Sequence, residues 1–141
     1  MAVNRTGRIT KISGNMVAAE VDTFVVQNEV AYILHGQERL KAEVIRVRGK
    51  QAEMQVFENT SGLKVADVAE FTDELLSVEL GPGLLGQIFD GLQNPLPELA
   101  DKCGFFLKRG VYVEALVPDS EWEFTPLAKA GERFRPGQYL G

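Results

Sequence analysis

From the start of the chain to about residue 75, apolar residues recur in short runs broken by turn residues, the pattern of half-buried strands. Ile9 and Ile12 flank a Thr-Lys pair, Gly14-Asn15 offers a turn, and Met16 to Val21 resumes the apolar run. Val25-Val26 and Val30 to Leu34 are two further runs, separated by Gln27-Asn28. The clearest hairpin is Leu40 to Phe57. Leu40, Ala42 and Val44 alternate with Lys41 and Glu43, and then the apolar parity moves to Ile45 and Val47. A one-residue shift of this kind is what a β-bulge or a barrel corner produces. Arg48-Gly49-Lys50 supplies the turn, and Ala52, Met54 and Val56 alternate with Glu53 and Gln55 on the returning strand. Asn59-Thr60-Ser61-Gly62 reads as another turn, and Val65 to Phe71 as a last short strand. Some six short strands with frequent turns predict a small antiparallel β-barrel, because closure removes exposed edges.

The pattern changes at Gly81-Pro82-Gly83-Leu84-Leu85-Gly86. Three glycines and a proline in six residues suit a turn that only small or φ-fixed residues follow, and so a linker. Beyond it, Leu84 to Leu92 reads as a short strand with one helical turn. Pro95 to Lys102 reads as a short helix with Pro97 in its first turn. Val111 to Val117 and Trp122 to Phe124 are again strand-like, with Pro118 as a break, and residues 131–141 form a tail rich in glycine and charge. The expected organisation is a barrel over 1–76, a linker region over 77–103 and a partial β-rich unit over 104–141. The second half is expected to be the less stable, with the boundary near Gly81-Pro82-Gly83.

Composition adds limits. With 45% apolar and 25% charged residues the chain belongs among globular domains, not disordered ones. A net charge of -5 argues against a nucleic-acid partner. No apolar run reaches the length of a membrane span, and Met1 to Arg5 lacks the apolar core of a signal peptide. The single cysteine, Cys103, has no internal disulfide partner and suits a reducing cytoplasm.

Each candidate for chemistry has a plainer reading. His35 stands alone beside Gly36 with no second metal ligand in view. Cys103, before Gly104, reads as a small buried residue rather than a nucleophile. Asp67, Glu70, Asp73, Glu74 and Glu79 read as a solvated rim, since paired-carboxylate chemistry needs two of them to meet across a cleft. Arg39, Lys41, Arg46, Arg48 and Lys50 gather positive charge on one hairpin. That is compatible with an oligonucleotide groove, but interleaved Glu38, Glu43 and Glu53 favour charged strand edges that block pairing. No Gly-Lys-Ser/Thr phosphate cradle occurs. The chain is therefore expected neither to bind nor to hydrolyse ATP.

Several passages resemble the start of the catalytic A (alpha) subunit of V-type and archaeal-type rotary ATPases. Gly7 to Gly14, Glu43 to Gly49 and Gln55 to Leu63 are similar to its barrel strands. Ser77 to Leu92, with Gly-Pro-Gly-Leu-Leu-Gly and Ile-Phe-Asp-Gly, is the most specific match. Phe105 to Val111 and Trp122 to Pro126 resemble an insertion that the A subunit has and the non-catalytic B subunit lacks. The chain departs from the family at Asn15, usually proline; at Lys64 to Asp67, usually a Pro-Gly turn; and at Phe71-Thr72-Asp73, which lacks a glycine after the threonine.

The resemblance implies an N-terminal fragment: a six-stranded barrel, the start of a nucleotide-binding domain over 77–103 and part of a bulge domain over 104–141. The family's catalytic lysine, general base and arginine finger fall beyond residue 141. No catalytic, cofactor-binding or metal residue is assigned to this chain, and ATP and Mg belong to the full-length subunit. The implied partners are B subunits in an alternating A/B hexamer and peripheral-stalk subunits. The implied activity of the whole is ATP hydrolysis or synthesis coupled to proton or sodium transport, on the cytoplasmic side and peripheral to the membrane. The fragment alone is expected to be a monomer without direct membrane insertion. The competing reading is a stand-alone barrel that binds an oligonucleotide or protein partner.

Overall fold

A computed structural model describes residues 5–117 and 120–141; Met1 to Asn4 and the break expected at Pro118 lie outside the described residues. Six strands make the first half: β1 Thr6–Ser13, β2 Met16–Val21, β3 Glu29–His35, β4 Glu38–Arg48, β5 Gln51–Val56 and β6 Val68–Leu75. They close into an antiparallel barrel in the order β1-β2-β5-β4-β3-β6. The hairpins β1–β2, β3–β4 and β4–β5 turn on Gly14, Gly36 and Gly49, each at positive φ, which glycine adopts without steric cost.

The alternation seen in the sequence becomes the inside of the barrel. Leu40, Ala42 and Val44 of β4, Ala52, Met54 and Val56 of β5 and Ala31 and Ile33 of β3 are almost completely buried, together with Ile9, Val17 and Ala19. The parity shift in β4 is a bulge. Val44 opposes Met54 and Arg46 opposes Glu53, so Ile45 is the extra residue. Val47 then faces Ala52 and packs against the core. Val25 joins the core from the β2–β3 connection without forming a strand.

The last strand starts later than Val65 and runs further than Phe71. Ala66, with φ 77°, turns the chain before Val68. Asp73, with φ 65°, is likewise left-handed. Both of these turns fall in the stretches where the sequence departs from glycine-containing family patterns.

Closure depends on a short seam. β1 meets β6 only over Thr6–Glu70, Gly7–Ala69 and Arg8–Val68, and bonds from the Ile9 amide to Asp67 (2.9 Å) and from the Ala66 amide to Ile9 (2.8 Å) extend it. A Cβ on Gly7 would lie 2.7 Å from Val21 Cγ1 and 2.8 Å from the Glu20 carbonyl oxygen. Because one of those neighbours is backbone, a side chain there forces strands apart. Gly7→Ala is expected to destabilise the barrel by about 1–3 kcal/mol, read as a lowered urea midpoint. A midpoint equal to wild type would show that the seam has slack.

The second half holds a 3-10 turn, Pro82–Leu84, and one helix, α1, Leu96–Cys103, close to the range expected. The strands expected within Leu84 to Leu92, at Val111 to Val117 and at Trp122 to Phe124 do not form; Phe89 and Pro95 share a single bridge. The barrel does not supply them a partner. All six of its strands pair on both sides, so it offers no open edge to template another strand. Among the described residues of 104–141 there is no strand, and the stretch expected to be β-rich is loop.

Candidate functional site: the barrel rim and the segment docked on it

The residues singled out by sequence are spread over the barrel surface, and most are occupied. His35 Nδ1 lies 2.9 Å from Asp67 Oδ2, at the end of β3. Asp67 also accepts the Lys64 amide at 2.8 Å. Burial pushes the Asp67 carboxyl up, but the Lys64 amide and His35 outweigh it and hold the group below the usual carboxylate range. Cys103 is buried at the end of α1. Glu70 pairs with Arg39 (3.3 Å) and Asp73 with Arg5 (3.1 Å). The Gln93 side chain bonds both the amide and the carbonyl of Glu79. Glu74 is exposed at the end of β6. No group of three or more metal-ligating side chains occurs among the described residues.

The basic hairpin is largely neutralised. Arg39 lies 3.7 Å over the Tyr32 ring in addition to its pairing with Glu70. Arg46 pairs with Glu53 (3.6 Å) and Lys50 with Asp22 (2.6 Å). The Lys50 hydrogen bond lowers the Asp22 pKa and raises that of Lys50. The closed barrel leaves no strand edge for these charges to block, and cations engaged in this way fit a solvated barrel surface better than a groove for phosphates.

One important residue escaped the sequence reading. Glu29 opens β3 with its side chain fully buried. Arg5 donates to both of its oxygens, at 2.7 and 3.1 Å. The Val26 amide (3.1 Å) and the Asp73 amide (2.7 Å) complete its shell. One carboxylate thus ties the entry to β1, the loop before β3 and the bend in β6. The available signal was parity: positions 29, 31 and 33 share one face, and a glutamate on the face of Ala31 and Ile33 must find partners inside.

A second cluster joins the two halves. After Leu76, whose amide bonds the Asn28 carbonyl (3.3 Å), the linker carries exposed Val78, Leu80, Leu85 and Ile88. The chain then returns to the barrel rim. Asp90 organises the return: it accepts the Leu92 and Asn94 amides and the Asn94 side chain, and Asn94 Oδ1 accepts the Val113 amide at 2.9 Å.

The Arg109 guanidinium donates to the Asn59 carbonyl (3.0 Å), the Ser61 carbonyl and the Glu38 carboxylate. This hydrogen bond, working against partial burial, holds Glu38 below the usual carboxylate range. The Gly110 amide reaches both oxygens of Glu58, at 3.0 and 3.2 Å. The Tyr112 hydroxyl accepts the Lys41 amide (2.6 Å) and donates to Glu58 (3.0 Å), while its ring meets Tyr32 edge-on at 6.3 Å. Burial, with Glu58 adding to it, pushes the Tyr112 phenol far up, so it stays a neutral donor. Gly110, at φ 74°, passes close to the Arg39 backbone, so a glycine is required there on two counts.

The glycines of the Gly-Pro-Gly turn have another cause than the one expected. Gly81 is extended, with φ -174°, and Gly83 is not left-handed either. A Cβ on Gly81 would lie 3.0 Å from Leu116 Cδ1, and one on Gly83 would lie 3.1 Å from Leu116 and 3.2 Å from Trp122. Glycine here allows a close approach: a side chain at either place would require the end of Leu116, and at Gly83 that of Trp122 too, to give by a few tenths of an ångström. What this arrangement provides is attachment of the second half to the barrel rim.

Residues 9–73 match the ATP synthase alpha/beta family, beta-barrel domain. Over 135 residues the chain is 54% identical to the V-type ATP synthase alpha chain of Treponema denticola and 58% identical to V-type ATP synthase alpha chain 1 of Treponema pallidum, in both cases covering 96% of this chain. It is 54% identical over 139 residues, 99% of this chain, to the V-type ATP synthase alpha chain of Borreliella afzelii. The chain spans only 23–24% of the length of these relatives. No helix among the described residues is long and apolar enough to cross a membrane.

Proposed function

Through its barrel this chain belongs to the ATP synthase alpha/beta family, and from that premise we propose that it is the structural N-terminal part of a V-type catalytic A (alpha) subunit, which helps hold an alternating A/B ring together. The observation that carries the reading is the closed barrel with the family's match lying on its strands. A barrel without a free edge cannot assemble by strand addition, so its contacts run through side chains and rims, as heterologous ring contacts do.

In this reading residues 1–76 are the ring barrel, 77–103 lead toward the nucleotide-binding domain, and 104–141 begin the insertion that faces the peripheral stalk. ATP and Mg are held by parts of the subunit outside these residues. The whole works at the cytoplasmic face, peripheral to the membrane, coupling ATP hydrolysis or synthesis to proton or sodium transport. Exposed Phe105, Phe106 and Leu107 suit a segment made to be covered by other parts of such a subunit. The alternative of an oligonucleotide-binding barrel is weakened by the ion pairs that occupy Arg39, Arg46 and Lys50.

Sedimentation velocity tests the proposal. Alone at micromolar concentration the chain is expected to run as a monomer of 15.6 kDa, and with the B subunit of the same source it is expected to shift to a faster, mixed species. A stable homo-hexamer, or no association with B at any ratio, would overturn the ring role.

A further inference from the structure

We infer that residues 109–117 form a strap, latched on the barrel rim by Arg109, Gly110 and Tyr112, that closes over the Gly81-Pro82-Gly83 linker and fixes the direction in which the chain leaves the barrel. Two sets of contacts meet to make it. At one end lie the bonds to Glu38, Lys41, Glu58, Asn59 and Ser61, which come from β4 and from the loop after β5. Four residues beyond Tyr112, Leu116 sits against Gly81 and Gly83, and Trp122 adds a second contact on Gly83. Among the described residues the linker's turn has no hydrogen bond to the barrel, and Glu79 just before the turn bonds the Gln93 side chain. The turn's own hydrogen bonds are local, Leu84 to Gly81 and Leu85 to Pro82, and the last barrel bond before it is that of Leu76.

The latch is polar, half-buried and built on one guanidinium and one phenol, so it can open without disturbing the apolar core, which lies inside the barrel. Opening costs only rim contacts, and such a segment exchanges at lower free energy than the strands beneath it. The two linker glycines complete the fit, because any side chain at either place would push Leu116 outward.

The chain's only tryptophan, Trp122, reports on the strap directly. Arg109→Met and Tyr112→Phe remove the latch from the strap side, and Gly83→Val displaces Leu116 and Trp122 from the linker side. Trp122 is already 55% exposed, so its acrylamide quenching constant is expected to rise by at most about twofold in each variant. In the two latch variants the Lys41 and Gly110 amides are expected to exchange about tenfold faster, while those of Ile33 and Met54 keep wild-type rates. Arg109→Lys, which keeps the charge but loses the fork, is expected to fall between. Wild-type quenching together with wild-type Lys41 exchange in Arg109→Met would overturn the latch. Faster exchange throughout the barrel would overturn it too, since these residues would then be supports of the barrel and not of a strap.

Discussion

Glu29→Ala is expected to cost the barrel about 3–5 kcal/mol, the largest loss of any single change considered for this chain. The Glu29 side chain is fully buried and Arg5 only 13% exposed, so removing the carboxylate leaves a largely buried guanidinium with only the exposed Asp73 carboxylate, at 3.1 Å, as counter-charge. The same truncation strips the acceptor from the Val26 and Asp73 amides. Asp73 needs that acceptor more than most residues would, because its φ of 65° is a strained conformation for a non-glycine residue. With domains of this size holding about 5–15 kcal/mol in total, the variant should be near its unfolding midpoint under mild conditions. Urea titration followed by far-ultraviolet circular dichroism reads the loss. Glu29→Gln, which keeps the shape and one acceptor oxygen, should lose less. A Glu29→Ala midpoint within error of wild type would show that the carboxylate does not organise the three segments it touches.

Leu40→Ala should cost about 2–5 kcal/mol. Leu40 is fully buried on β4, the strand held between β3 and β5, and lies directly opposite Ile33. Truncation removes methyl groups whose neighbours belong to a closed ring of strands. The cavity cannot collapse without shifting hydrogen-bonded backbone, which places the cost toward the upper part of that range. The same truncation at Leu80, which is 81% exposed in the linker, should change stability by no more than about 0.5 kcal/mol. Equal effects at the two leucines, measured by the same urea titration, would mean that the barrel interior is not the stabilising core.

The relation between the halves also differs from the sequence expectation. The last barrel strand ends at Leu75, and the region past it is not uniformly loose. Residues 90–113 are tied to one another and to the rim by Asp90, Asn94, Arg109 and Tyr112. The hydrogen bonds of the far tail run within the tail itself, such as those from the Leu127 and Ala128 amides to the Leu140 carbonyl.

The sequence by itself determined the barrel. Alternation of Leu40, Ala42 and Val44 with charged neighbours, the parity change at Ile45 and the glycine turns are local signals, and each carries the geometry it predicts. The short helix after Pro95 was legible for the same reason. Only the tertiary structure decided the rest. Val111 to Val117 has the composition of a strand, but strand formation needs a partner edge, and ring closure had already used every edge. The role of Glu29 follows only once β3 is placed in register, which turns its side chain inward among partners from three segments. Arg109 and Tyr112 lie some 50–70 residues from the groups they bind, and no periodicity or spacing encodes a contact at that range. Side-chain period and turn chemistry act between near neighbours and can be read in one dimension. Burial of a charge, competition for strand edges and the fit of Leu116 against two glycines depend on which distant segments meet, and that is settled only when the chain closes on itself.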